Sequence, residues 1–282
     1  MTRGYVLAAF SGIAWGTIPL AVKQIYALGS ATPLDISFFR FVIAAVLVSL
    51  ICMKKKQPVI LMNKWSIVMG FWGVFWMSYI SFAGIQFTSA VNATILFNSN
   101  PLLVALLVLC LKWEKFSLTT LMGILLGIGG VLIVSGLTLN LHILGDALVL
   151  LGAFGWAVYT VLSFKLRDNS SLSVTSSSLF WGLLFFCCGA IIWKDIPLVD
   201  VKSFLWIIYI GLIPTGAAFL SYVKAVDTIG STRAAVFQYA APAVAVIISA
   251  VLGLESIHIF QIGGILCIIT GIELTRRTGI SQ

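Results

Sequence analysis

Charge is what this chain has least of. Only 9% of its 282 residues are Asp, Glu, Lys or Arg, against roughly a quarter in an ordinary soluble domain. That excludes a water-soluble globule, whose surface needs far more polar cover, and it excludes a disordered or coiled-coil chain. Histidine is nearly absent: His142 and His258 lie far apart, with no H-E-x-x-H and no aspartate cluster, so a multispanning membrane enzyme is the least favoured alternative. The expectation is a non-enzyme with no cofactor and no metal. Cys52, Cys110, Cys187, Cys188 and Cys267 form no C-x-x-C pair and sit in or beside apolar runs. They read as small hydrophobes rather than disulfides or metal ligands. Acids are few, and none falls near the centre of an apolar run. That favours facilitated exchange over proton coupling through a buried carboxylate. Long polar linkers are missing as well, so no separate soluble domain is expected.

What is present is hydrocarbon. Apolar residues make up 60% of the chain and the mean hydropathy is +1.10. A lipid-spanning helix takes about 20 apolar residues, and ten such runs stand near 4–22, 34–52, 65–84, 91–111, 118–137, 146–164, 174–193, 203–223, 234–254 and 257–275. The fold class expected is an all-α polytopic membrane protein. Arg3 with the run behind it reads as a first span rather than a cleaved signal peptide, because nine more spans follow.

The net charge of +8 records topology. With a cytoplasmic N-terminus, Arg3, Lys54, Lys55, Lys56, Lys64, Lys112, Lys115, Lys165, Arg167, Lys224, Arg233, Arg276 and Arg277 fall inside, and Lys23, Lys194 and Lys202 fall outside. The positive-inside rule fixes that orientation: both termini cytoplasmic, in the cell membrane. No nucleic-acid partner is implied; the partners expected are the lipid bilayer and a small-molecule cargo.

Shifted by 141 residues, the chain matches itself. Trp15 falls on Trp156, Phe39 on Phe180, Trp65 on Trp206, Gly70 on Gly211, Pro101 on Pro242, Glu114 on Glu255, Gly123 on Gly264 and Gly130 on Gly271. The chain therefore divides into repeats at 1–141 and 142–282. Each carries five spans, an odd number, so the second enters the membrane from the opposite face. Inverted repeats are common in secondary transporters, because each half can adopt the other's conformation and so turn an inward-open protein outward.

The motifs resemble the drug/metabolite transporter superfamily, in particular its EamA-type ten-helix members. A-W-G-T-I-P-L (Ala14 to Leu20) is similar to the family's first-helix signature, and P-L-D-I-S-F-F-R-F (Pro33 to Phe41) to its second-helix motif ending in Arg. F-T-S-A-V-N-A-T-I-L-F-N-S-N-P (Phe87 to Pro101) resembles the segment opening the fourth helix. L-K-W-E (Leu111 to Glu114), with Gly123 and Gly130, resembles the following connection. Gly145 to Ala157, Ala240 to Pro242 and Leu252 to Glu255 repeat the pattern. The second half departs from it where Arg40 maps onto Trp181. The resemblance implies a carrier of small organic metabolites working by alternating access, many bacterial members being exporters of amino acids and related compounds. It also implies a central cavity lined by the first, third, fourth, sixth, eighth and ninth spans.

Candidate cargo-binding residues follow. Trp15 shares a face with Ser11 and Pro19, and Trp156 shares the equivalent face with Gly152 and Thr160, beside Tyr159. These indoles wall a cavity or else pack or gate. Trp65, Trp113, Trp193 and Trp206, near span ends, read as interfacial anchors. Trp76 and Tyr79 continue a stripe from Trp72. Thr94, Asn98 and Asn100 precede Pro101, and Gln238 and Tyr239 precede Pro242. Polar side chains beside a proline break are where carriers contact cargo, with interhelical hydrogen bonding as the alternative. Arg40 is the one intramembrane charge. It snorkels, pairs with Glu255 or Asp35, or meets a cargo carboxylate. Glu114 and Glu255 read as structural, and Asp146 as the cap of the sixth span. The G-x-x-x-G pairs Gly12/Gly16 and Gly123/Gly127 serve internal packing or a homodimer. A channel-like or regulatory membrane subunit is the rival reading.

Overall fold

A computed structural model describes residues 2–28, 31–85, 87–88, 90–113, 117–136, 142–193, 197–253 and 258–277. Glu114 and Glu255 lie outside them. Among the described residues there is no strand.

The helices run α1 (Thr2–Gly16), α2 (Ile18–Leu28), α3 (Pro33–Lys54), α4 (Lys64–Gly70), a π turn (Phe71–Trp76), α5 (Met77–Ile85), α6 (Ala90–Phe97), α7 (Asn100–Leu111), α8 (Leu118–Val134) and α9 (Ile143–Lys165). They continue as α10 (Ser171–Trp193), α11 (Val201–Ile210), a second π turn (Gly211–Ala217), α12 (Ala218–Ile229), α13 (Ser231–Ala235), a 3₁₀ turn (Val236–Tyr239), α14 (Ala240–Val251) and α15 (Ile259–Arg277). Eight helical stretches among the described residues are long and apolar enough to cross a membrane. The ten runs expected from the sequence include two more. Leu118–Val134 is apolar but only 17 residues long, and the α4–α5 stretch with its π turn is not among the eight.

The ends are set by local chemistry. Thr32 and Asp35 form a reciprocal capping box that starts α3. Asp200 caps α11 by accepting from the amides of Lys202 and Ser203. Asp146, expected to cap the sixth span, accepts from the amide of His142 at 2.9 Å and from the Thr88 hydroxyl at 2.5 Å.

Packing follows the 141-residue offset. α1 packs on α12, and α5 on α9. α3 lies against the π turn of Gly211–Ala217, and α10 against the π turn of Phe71–Trp76. α8 and α15 form a pair of their own. Four of its glycines face each other crosswise: a Cβ on Gly123 would stand 2.7 Å from the Gly271 carbonyl oxygen, and one on Gly130 would stand 2.6 Å from that of Gly264. Close helix approach through small residues supplies packing where lipid offers no hydrophobic drive. Gly12 and Gly16 likewise face the backbone of Phe237 and Ala241. The glycine motifs therefore serve contacts within the chain.

Gly129 gives the control, since nothing lies within 4 Å of a Cβ there. Gly130→Ala should destabilise the folded protein by about 1–3 kcal/mol through overpacking. Gly129→Ala should be neutral or stabilising by up to about 1 kcal/mol. Thermal unfolding of the two variants in detergent checks this; equal melting temperatures would contradict the crossed-glycine contact.

Candidate functional site

Five helical stretches meet at the middle of the molecule. Trp15, at the end of α1, and Trp156, in α9, are 141 positions apart and touch edge to face, centroids 5.4 Å apart. Trp156 stacks on Tyr159 at 4.8 Å and lies nearly parallel to Tyr222 of α12 at 5.4 Å. Phe219 meets it at 5.0 Å. Such pairs gain about 0.5–1.5 kcal/mol each beyond area burial, so the cluster is stiff.

A chain of hydrogen bonds runs through the same place. Gln238, in the 3₁₀ turn, uses both amide hydrogens: Nε2 donates to Asn100 Oδ1 at 3.2 Å and to Tyr222 Oη at 3.0 Å. Asn100, at the start of α7, donates to the Ala153 carbonyl at 2.8 Å. Tyr222 Oη lies 2.9 Å from Thr160 Oγ1, and Thr160 donates to the Trp156 carbonyl at 3.1 Å. Both branches end on the backbone of α9. Asn100, Thr160 and Tyr222 are fully buried and Gln238 is 5% exposed. In hydrocarbon an amide survives only with such partners.

The two indoles differ in one respect. Trp15 Nε1 donates to the Pro214 carbonyl at 2.8 Å, inside the second π turn. Trp156 Nε1 is buried and has no partner among the described residues. Its counterpart acceptor would be Gly73 (214 − 141) in the first π turn, where the Tyr159 ring packs instead.

Trp15, Trp156, Tyr159 and Gln238 thus come together, and Pro101 and Pro242 lie buried beside them at the helix breaks. The other candidates lie apart. Asn98 turns back on its own helix, donating to the Thr94 carbonyl at 2.8 Å, and Thr94 is exposed. Tyr239 packs on Gly127 and donates to the Ile124 carbonyl at 3.3 Å, which fixes it to α8. Trp76 donates to the Leu151 carbonyl at 3.2 Å, and Tyr79 stacks on Phe75. Arg40 is 7% exposed, donates to Ser78 Oγ at 3.0 Å and lies 4.6 Å from the centre of the Phe41 ring. Asp35, one of its expected partners, instead accepts from Thr32 and from the Leu198 amide; the other, Glu255, lies outside the described residues. Tyr222 and Phe219 were not singled out by sequence. Their counterparts at the offset are Ser81 and Ser78 (222 − 141, 219 − 141), which match neither residue, so the repeat did not mark them. No cluster of His, Cys, Asp or Glu able to hold a metal is found among the described residues.

The indole difference has a measurable consequence. Trp→Phe removes similar ring area at both sites, but only Trp15→Phe removes a hydrogen bond. Trp15→Phe should cost about 1 kcal/mol more than Trp156→Phe in denaturation. Equal costs would mean the Pro214 bond contributes nothing.

Comparison with known proteins gives a consistent picture. A family profile described as the EamA-like transporter family matches twice, at residues 2–136 and 143–277. The chain is 28% identical over 253 residues to the protein named "Uncharacterized transporter YetK" of Bacillus subtilis (strain 168), covering 85% of this chain and 77% of that one. It is 27% identical to "Uncharacterized transporter YyaM" of the same organism, covering 95% and 91%. It is 28% identical to an "Uncharacterized transporter" of Archaeoglobus fulgidus, covering 97% of each. A crystal structure of 18% sequence identity superposes with a TM-score of 0.86, covering 97% of this chain and 96% of that one, which shows a shared fold. The chain is a multi-pass membrane protein that belongs to the EamA-like transporter family.

Proposed function

We propose that the protein is a secondary carrier built of ten membrane crossings in two inverted five-helix repeats, 1–141 and 142–282. It moves small organic metabolites, amino acids or related compounds, outward across the cell membrane by alternating access, with both termini cytoplasmic. The observation that carries the reading is the meeting of Trp15 and Trp156, repeat-equivalent residues in contact at the molecule's centre. A two-fold relation between halves places its axis where equivalent residues touch, and carriers bind cargo there. The crosswise glycine contacts of α8 and α15 and the doubled family match support the same relation. The excess of basic residues on one face supports the orientation.

The cargo class rests on the lining. The aromatic rings at the centre suit an apolar body; Asn98, Thr94 and Tyr79, which lie apart from that cluster, offer polar contacts; Arg40, also apart and donating to Ser78, suits a carboxylate. A polyanionic cargo such as a nucleotide sugar finds too few cations here. No acid stands mid-span, which favours exchange over proton coupling.

Proteoliposomes loaded with unlabelled amino acids or nucleobases test this. Saturable counterflow of the labelled solute is expected, unchanged by a pH gradient. Asn98→Ala should lower it at least about tenfold, the order of one lost hydrogen bond to a cargo, while leaving the protein folded. Flux that neither saturates nor shows trans-stimulation would indicate a pore and overturn the carrier.

A further inference from the structure

Because the two halves are related by one offset, each position has a counterpart in an equivalent place, and differences in burial between counterparts report conformation. Ile18 and Val22 are half-buried and Pro19 is exposed, whereas Tyr159, Ser163 and Thr160 are buried. Thr94 is exposed and Asn98 half-buried; their counterparts Ala235 and Tyr239 are fully buried. At the opposite ends of the same helices the relation reverses: Val104 and Val108 are buried, while Ala245 and Ser249 are half-buried. At these positions the molecule is therefore tighter on the side where α9 finishes and α13 begins than on the side of Pro19 and Thr94, while Ala21, Ile25, Ala93 and Ile95 are buried like their counterparts.

The Gln238 network lies between the centre and that tighter side: Thr160 stands in the last third of α9 and Gln238 just after α13. The counterparts of Gln238, Asn100 and Thr160 are Phe97, Ala241 and Pro19, and that of Tyr222 is Ser81. Phenylalanine, alanine and proline carry no side-chain donor or acceptor. The looser side thus lacks the groups from which an equivalent network would form, whatever its conformation.

We propose that Gln238, Tyr222, Thr160 and Asn100 are a hydrogen-bonded gate on the cytoplasmic side, and that its missing counterpart makes the outward-open state the resting one. This rests on the carrier reading above. Opening the gate breaks bonds from Gln238 to two other helices, while opening the far side breaks none of this kind. Cargo binding then has to supply the difference in favour of the inward-open state, as any ligand that shifts a two-state equilibrium does.

Paired cysteine reporters test the gate. Thr94→Cys and Ala235→Cys occupy equivalent positions at the two ends. In detergent both ends meet a polar maleimide, and the protein without either reporter gives the blank from its native cysteines. Thr94→Cys should label readily and Ala235→Cys scarcely above blank. Adding Tyr222→Phe, which keeps the ring and removes the hydroxyl, should raise Ala235→Cys labelling about tenfold, the worth of one buried hydrogen bond, and slow labelling at Thr94→Cys. Thr160→Val, nearly the same shape, should act in the same direction and serves if Tyr222→Phe does not fold. Labelling at Ala235→Cys that stays at blank in folded Tyr222→Phe and Thr160→Val would overturn the gate. Counterflow by the unaltered protein separates the two ideas. Counterflow with unmoved labelling sinks the gate and leaves the carrier. Shifted labelling without counterflow keeps the gate and sinks the carrier.

Discussion

Inside hydrocarbon every backbone carbonyl and amide must find its partner within the protein, and the centre of this molecule is organised by where the chain gives up α-helical bonds. It does so at Thr17, in the two π turns, at Asn98–Ser99 and in the 3₁₀ turn before Ala240. Four of the five breaks lie near a proline: Pro19, Pro101, Pro214 or Pro242. Proline lacks the N–H that the carbonyl one turn earlier expects. Side chains fill in nearby. Thr17 and Ser99 donate to the carbonyls of Ala14 and Leu96, Asn98 to that of Thr94, and Trp15 to that of Pro214. α3, α8, α9, α10 and α15 run without interruption. Broken helices meet at the centre against unbroken α9, which supplies Trp156 and Thr160 there.

This division explains what the sequence disclosed and what it withheld. The 141-residue offset, the matched glycines and the apolar runs are properties of single positions repeated along the chain, and they could be read directly; which glycines touch could not. Trp15 and Trp156 could, because an indole matched at a fixed offset stands out. The partners could not be read. Asn98 and Asn100 look alike in sequence, three residues and one residue before Pro101. The structure turns Asn98 onto its own helix and sends Asn100 across to Ala153 and Gln238, 53 and 138 residues away. The helix is broken between them: Asn98 belongs to the turn that follows α6, and Asn100 opens α7. Tyr222 was invisible for another reason: its role comes from Gln238 and Thr160, and neither marks it locally.

Arg40 shows the same limit. A lone intramembrane cation invites a search for an acid, and Asp35 lies one and a half turns away in sequence. That carboxylate is already committed, closing a capping box with Thr32 and holding the Leu198 amide. Arg40 reaches Ser78 instead. Its counterpart Trp181 donates to the Leu61 carbonyl at 3.4 Å. Both residues are long donors on equivalent helices, and each ties its helix to a neighbour. The substitution of indole for guanidinium therefore preserves a tether while removing a charge, which is why the fold tolerates the departure from the repeat.

Duplication has been kept where geometry demands it and lost where it does not. The α8–α15 interface retains those four glycines in register, since a Cβ at Gly123, Gly130, Gly264 or Gly271 would strike a facing carbonyl. Any divergence there is costly in every conformation. At the centre, Gln238 faces Phe97 across the repeat, Thr160 faces Pro19 and Tyr222 faces Ser81. Those positions are free to differ only if they do not pack as equivalents at the same moment. In a carrier one end is closed while the other is open, so repeat-related residues there never share an environment in any one state. On the carrier reading proposed above, static contacts hold the two copies to one sequence, and alternating contacts let them part. The pattern of conserved and diverged pairs within this single chain is what such a division would leave behind.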